Sequence, residues 1–282
     1  MLDCLIDAGL DTLKVLPYLL AAFLILELIE HKFGPKNALV KHRRLGPVFG
    51  GLLGGLPQCG FSAIVANLFA SHLVTIGTVV AVFLATSDEM LPVMLGEGAD
   101  IWFVLRIILF KVAIGITVGL VLDFFWKRYK DEKQTEPTKS QISQLCDREH
   151  CHCEKHGIFL SSLEHTLKTG LFLLVANVII GLLILYAGEE NIANFTLSNP
   201  VVPYLFTALV GLIPNCAGSV IITELYLSGL ISLGSMMAGL LAGSGVGLLL
   251  LFKNNTTSRE NRAIVTILYA TGVIVGALID LF

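Results

Sequence analysis

Gly54-Gly55-Leu56-Pro57-Gln58-Cys59-Gly60-Phe61-Ser62 and Gly211-Leu212-Ile213-Pro214-Asn215-Cys216-Ala217-Gly218-Ser219 are two versions of one segment, 157 positions apart. Each sets a Pro-x-Cys turn inside an apolar stretch. Proline removes a backbone donor and glycine tolerates unusual dihedrals, so each reads as the tip of a helical hairpin, at 57–60 and 213–218. The register continues outward: Ser71, Gly77, Ala81 and Ser87 match Ser228, Gly234, Ala238 and Ser244, and Gly115, Gly119 and Asp123 match Gly272, Gly276 and Asp280. The opening helices match at a spacing of 154, Thr12-Leu13-Lys14 with Thr166-Leu167-Lys168. Apolar composition can repeat Leu and Gly by chance, but not Pro, Cys, Ser and Asp in one register. The chain is duplicated.

Between these landmarks lie the long apolar runs Val15 to Ile29, Ile101 to Trp126, Gly170 to Ala187 and Ala263 to Phe282. Each approaches or exceeds the ~18–20 residues of a membrane span. The 282 residues are 55% hydrophobic and 15% charged, with mean hydropathy +0.79; a soluble domain carries about 25% charged residues. A net charge of −3 gives no basic surface for nucleic acid. Asp3, Asp7 and Asp11 precede the first base, Lys14, so the opening run reads as a permanent helix rather than a secretory signal.

Loop charges set the relation between the halves. The loop after the first helix carries Lys32, Lys36, Lys41, Arg43 and Arg44, whereas its counterpart at 187–199 carries only Glu189 and Glu190. Further on, 96–100 holds Glu97 and Asp100, whereas 253–262 holds Lys253, Arg259 and Arg262. Equivalent loops of opposite sign belong on opposite faces, so the repeats are inverted, each crossing an odd number of times, with both chain ends outside. Val48 to Leu95 would reach ~72 Å as helix against a ~30 Å hydrocarbon core. One crossing plus a re-entrant hairpin fits that length. The expected fold is an all-α polytopic membrane protein of two inverted repeats, each with three spanning helices and a re-entrant or broken hairpin, about ten helical segments. The expected divisions are 1–126 for the first repeat, 127–158 for a cytoplasmic connector and 159–282 for the second repeat.

Hairpins entering from opposite faces would bring their tips together near the midplane, where broken backbone survives only when buried in protein or lining a cavity. The tips offer Gln58, Cys59, Ser62, Asn215, Cys216 and Ser219. Thiolates suit soft metals and trivalent metalloids, and amide or carboxylate oxygens suit harder ions such as Mn²⁺. A membrane cysteine is ordinarily a small hydrophobe; two at symmetric positions point further, to a substrate site. Asn67 and Glu224 match at the same spacing and extend it. Among ionisable residues within spans, Asp88, Glu89 and Arg106 form either an internal ion pair or a cation pathway. Lys111 and His72 are further polar intrusions, while Asp123, Asp280, Lys14 and Lys168 sit where they need only mark the interface.

The connector carries Cys146, His150, Cys151, His152, Cys153 and His156 within eleven residues. That exceeds the four ligands zinc takes, in a spacing that is no zinc finger. It reads as a metal-capture or sensing segment, or as a Cys/His-rich linker. In a reducing cytoplasm metal is favoured over disulfides.

The duplicated tips and this Cys/His-rich loop resemble the ten-transmembrane heavy-metal exporter family, whose members are labelled arsenic efflux proteins or manganese transporters. The resemblance covers nearly the whole chain. It implies an inner-membrane exporter of a metal or metalloid, with the two Pro-x-Cys turns as substrate site. No G-x-x-x-x-G-K-[ST] segment is present, so energy would come from an ion gradient or a separate subunit. The expectation is thus a secondary transporter, not an enzyme, with no tightly bound cofactor beyond a metal on the connector. Its partners would be lipids and the transported ion, and homo-oligomerisation stays open. The rival reading is a membrane thiol–disulfide electron carrier using Cys59 and Cys216. A passive channel is disfavoured, since no ring of like charges is visible.

Overall fold

The structure, a computed structural model, describes residues 45–56, 59–71, 73–87, 90–130, 202–214 and 216–281, with scattered helical positions within 9–24 and 163–179. Among the described residues the elements are all helices: α1 (Gly46–Gly54), α2 (Cys59–Ala70), α3 (Ile76–Ala85), α4 (Met90–Gly96) and α5 (Ile101–Lys130) in the first repeat, and α6 (Val202–Gly211), α7 (Cys216–Leu227), α8 (Leu233–Ala242), α9 (Gly247–Asn254) and α10 (Ser258–Leu281) in the second.

Glycine contacts give the direction of each element. Added Cβ atoms at Gly46, Gly50 and Gly54 would meet Thr78, Val82 and Ala85 in turn, so α1 and α3 run parallel. Gly119 lies against Gly77 and Gly115 against Ala81, so α5 runs antiparallel to both. The starts of α1 and α3 therefore share one face with the far end of α5. The chain must return along α2 from the end of α1 to that face, which makes α1–α2 a re-entrant hairpin. α3 and α4 together form an apolar span of 21 residues, Ile76–Gly96, about the thickness of the hydrocarbon core at ~1.5 Å per residue. The second repeat copies this, with Gly211 against Gly239, Ala238 against Gly272, and the span Leu233–Asn254.

Inversion follows from contacts between repeats. Gly247, opening α9, lies against Ser62 on α2, and Asn254, closing α9, donates its amide to Asn67 Oδ1 at 2.5 Å. Residues 62 to 67 and 247 to 254 thus advance together, and α2 and α9 both run towards the first face. The span α8–α9 therefore ends on the face where α3–α4 begins. α7 packs on α4 in the mirrored arrangement. Among the scattered helical positions, Leu16 touches Gly170, its own equivalent at a spacing of 154, as two copies of one helix do across a local two-fold.

The broken spans form the centre and α5 and α10 the outside. The apolar window of Leu233–Asn254 is 83% buried, whereas that of Ser258–Leu281 is 22% buried. Phe83, Met90, Met236 and Leu241 are fully buried between the repeats, while Trp102, Leu109, Phe124, Ile274 and Leu278 face outward. Lipid tails are as apolar as these side chains, so the centre is held by close packing and internal hydrogen bonds rather than by escape from water.

The expectation that Asp123 and Asp280 only mark the interface is corrected by the structure. Asp123 Oδ1 accepts the Gly77 backbone N–H at 2.9 Å and Oδ2 accepts the Thr75 hydroxyl at 2.6 Å. Asp280 takes the Gly234 N–H at 2.8 Å and the Ser232 hydroxyl in the same way. Thr75 and Ser232 are in turn the N-caps of α3 and α8, accepting from the N–H groups of Thr78 and Ser235 at 3.1 Å each. Each carboxylate satisfies donors that a helix start leaves unpaired and sits at the positive end of that helix. Gly77 and Gly234 are required beside them, because a Cβ at either would strike the carbonyl oxygen of Gly119 or Gly276. Hydrogen bonds to a charged group contribute roughly 1.5–3 kcal/mol, so Asp123→Ala should lower the unfolding temperature in detergent by several degrees. Asp280→Ala should act in the same direction and less strongly, since Asp280 is the more exposed. Unchanged melting in both variants would contradict the clamp.

Candidate functional site at the midplane breaks

Three of the chain's interruptions meet at one place: the second hairpin, and the breaks inside the spans α3–α4 and α8–α9. α2 begins at Cys59 and α7 at Cys216, so each cysteine is the first residue of a returning helix. The returning helix α2 therefore starts inside the expected 57–60 turn. The span breaks fall at 86–89 and 243–246, positions related by the 157 spacing, inside stretches expected to cross the membrane. Thr86 ends α3 with its N–H on the Val82 carbonyl at 2.9 Å, and Gly243 ends α8 with its N–H on Gly239 at 2.9 Å. Gly245 takes φ +52°, a left-handed turn that lets the second break close tightly.

A small cavity lies between these breaks, lined by Thr86, Ser87, Lys111, Gly211, Ser219 and Leu240, together with glycines of the second break. It therefore draws on the α3–α4 break, α5, the second hairpin and α8. Among the described residues that line it, Lys111 is the charged one. This residue is 1% exposed, and its ammonium donates to the carbonyl oxygen of Thr86 and, at 2.9 Å, to that of Leu240. Both are helix-end carbonyls that the breaks leave without intrahelical partners, at the negative ends of α3 and α8. Ser244, in the second break, is 1% exposed and its hydroxyl has no hydrogen-bond partner.

The sequence-derived candidates are distributed unevenly around this centre. Ser219 lines the cavity, and Ser62 is fully buried against the start of α9. Asn67 is 2% exposed, with its oxygen held by Asn254 and its amide nitrogen without a partner. Ser71, one turn further along α2, is also buried with an unpartnered hydroxyl. Positions 224 and 97, the equivalents of 67 and 254, carry Glu224 and Glu97, both exposed. Arg106 is exposed on α5; the buried cation of that helix is Lys111, five residues on. Gln58, Asn215, Asp88 and Glu89 lie outside the described residues, as does the connector with Cys146, His150, Cys151, His152, Cys153 and His156. Among the described residues no three His, Cys, Asp or Glu side chains gather as a metal site.

A family model described as "Putative, 10TM heavy-metal exporter" matches residues 2–189 and 182–282. The chain belongs to this family. Among the described residues each half contributes a re-entrant hairpin and two apolar spans, the first of them broken. No curated relative and no solved structure matches the chain. Family membership makes the protein a multi-pass membrane transporter of the heavy-metal exporter type, with lipid as its environment and an inorganic ion as its cargo.

The α2–α9 contact gives a direct check on the arrangement. In a background cleared of native cysteines, Asn67→Cys with Asn254→Cys should crosslink with a short bifunctional thiol reagent. Asn67→Cys with Glu224→Cys should not, because those positions lie on opposite faces. The reverse pattern, read as intramolecular crosslinks by peptide mapping, would refute the inverted packing.

Proposed function

We propose that the chain is a secondary transporter exporting a metal cation or metalloid across the inner membrane, through a midplane site formed where the two Pro-x-Cys tips meet the broken spans. The observation that carries this reading is the meeting of the second re-entrant hairpin with the breaks of both interrupted spans at one buried cavity. Discontinuous helices at mid-depth are how secondary transporters hold ions, and repeats of opposite direction let such a site open alternately to either side. In this reading Gln58, Cys59, Ser62, Asn67, Asn215, Cys216, Ser219 and Glu224 serve the substrate. Asp88, Glu89 and Arg106 serve an ion pathway or an internal pair.

Cys59 and Cys216 at symmetric helix starts suit arsenite-type metalloids, zinc or cadmium, whereas amide and carboxylate oxygens suit manganese. Asn67 already spends its oxygen on Asn254, and Glu224 faces outward. That division weighs towards the thiols and towards a soft cargo. The basic face, with Lys253, Arg259 and Arg262 beside the starts of α1 and α3, is cytoplasmic by the positive-inside rule. The connector at 127–158, between repeats at 1–126 and 159–282, then lies on the side where an exporter collects its cargo. Its Cys146 to His156 segment would deliver metal to the first hairpin. A coupling ion gradient supplies the energy.

The symmetric placement of Cys59 and Cys216 also suits a thiol–disulfide carrier, in which two thiols give up two electrons on forming a disulfide and a partner dithiol returns them. Multi-element mass spectrometry of cells expressing the chain separates the two readings. Beside wild type, the variants are Cys59→Ser, Cys216→Ser and deletion of 146–156. One element should fall with wild type, recover with either serine variant and recover partially with the deletion. No change in any element, together with a Cys59–Cys216 disulfide trapped in cells, would replace export with electron transfer.

A further inference from the structure

Lys111 has no counterpart in the second repeat. The equivalent position is Leu268, which is fully buried and apolar. The scaffold therefore folds around the same position without a cation in one half and with one in the other. A buried ammonium within a membrane is costly, and this one donates to main-chain oxygens drawn from both repeats, Thr86 in the first break and Leu240 in the last turn before the second. Helix-end carbonyls beside unwound backbone are the ligands with which discontinuous membrane helices hold small monovalent cations. The unpartnered Ser244 hydroxyl and the cavity-lining Ser87 and Ser219 add neutral oxygens nearby.

We propose that Lys111 is a tethered cation filling a monovalent-cation site built from the Thr86 and Leu240 carbonyls, so that the transporter carries at its centre a charge it would otherwise draw from solution. With the ammonium removed and the space left open, the site takes Na⁺ or K⁺. The wild-type protein gains nothing from either ion at this position. Where Lys111 instead served only as a bolt between the repeats, its loss would weaken the fold equally in every salt.

The test needs no knowledge of the cargo, so failure of the export reading leaves it intact. Purified wild type, Lys111→Ala, Lys111→Gln and Lys111→Met are melted in detergent in NaCl, KCl or N-methyl-D-glucamine chloride at equal ionic strength. Wild type should melt at one temperature in all three. Lys111→Ala should melt lower in N-methyl-D-glucamine and regain roughly 5 °C in Na⁺ or K⁺. Lys111→Gln, which adds a carbonyl ligand while keeping a donor, should respond in the same way. Lys111→Met fills the space without charge and should be indifferent to the salt. A folded Ala or Gln variant that melts alike in all three salts overturns the proposal, as does a Met variant or wild type that responds like Ala. Failure to recover both Ala and Gln variants in K⁺-containing buffer overturns it too, since the vacated site would then not accept a free cation.

Discussion

A peptide group that loses its helical partner inside a bilayer finds no water to replace it. This protein interrupts its chain at mid-depth four times, twice at hairpin tips and twice within the broken spans, and the arrangement of its helices follows from that liability. The broken spans occupy the centre, wrapped by α5 and α10, so the described main chain of their breaks is kept from lipid. At the α3–α4 break the Lys111 ammonium bonds the Thr86 carbonyl and reaches across to Leu240. At the surface the same bookkeeping is settled by Asp123 and Asp280, which satisfy the starts of α3 and α8.

Close approach makes this burial complete. Small residues let the α3 and α5 backbones meet at Gly77, Gly115 and Gly119, and α8 and α10 at Gly234, Gly272 and Gly276. In lipid, where apolar side chains gain little by leaving their surroundings, such contact is the main attraction between helices. The same tightness keeps the centre small, so a cargo could enter only with some separation of the hairpins from the spans. α2 packs mainly on α9 of the other repeat, whereas the entering arms α1 and α6 pack on α3 and α8 of their own.

The repeat, the inversion and the hairpins were legible because each leaves a mark that survives without neighbours: a register of 157, loops of opposite charge, and Pro-x-Cys turns. The breaks inside the spans were not read, although Ser87-Asp88-Glu89 and Gly243-Ser244-Gly245 stand in otherwise apolar runs. Their meaning depends on facing each other across the repeats, which periodicity cannot reveal. Asp123 and Asp280 were visible as a matched pair, but the helix-start donors they hold in common lie 46 and 48 positions away. Arg106 and Lys111 look alike in sequence, and only helix phase decides that one faces out and the other in. For the candidate site, the structure locates Ser62, Ser219, Asn67 and Lys111, all named from sequence, and adds Ser87 and Ser244, which no motif marks.

The leucine opposite the lysine bears on how such a protein can arise. Two identical halves inserted in opposite senses would put the same residue at both positions. With lysine in each, two ammonium groups would share a dry centre, the second aimed at the carbonyls of Phe83 and Gly243, the equivalents of Leu240 and Thr86. Like charges that close in a low dielectric repel strongly, and a pair of unlinked copies could not keep one and discard the other. Joining the halves in one gene removes that restriction. An off-axis lysine is a feature that two identical copies cannot hold, and the pairing of Lys111 with Leu268 is open to a chain whose halves can differ.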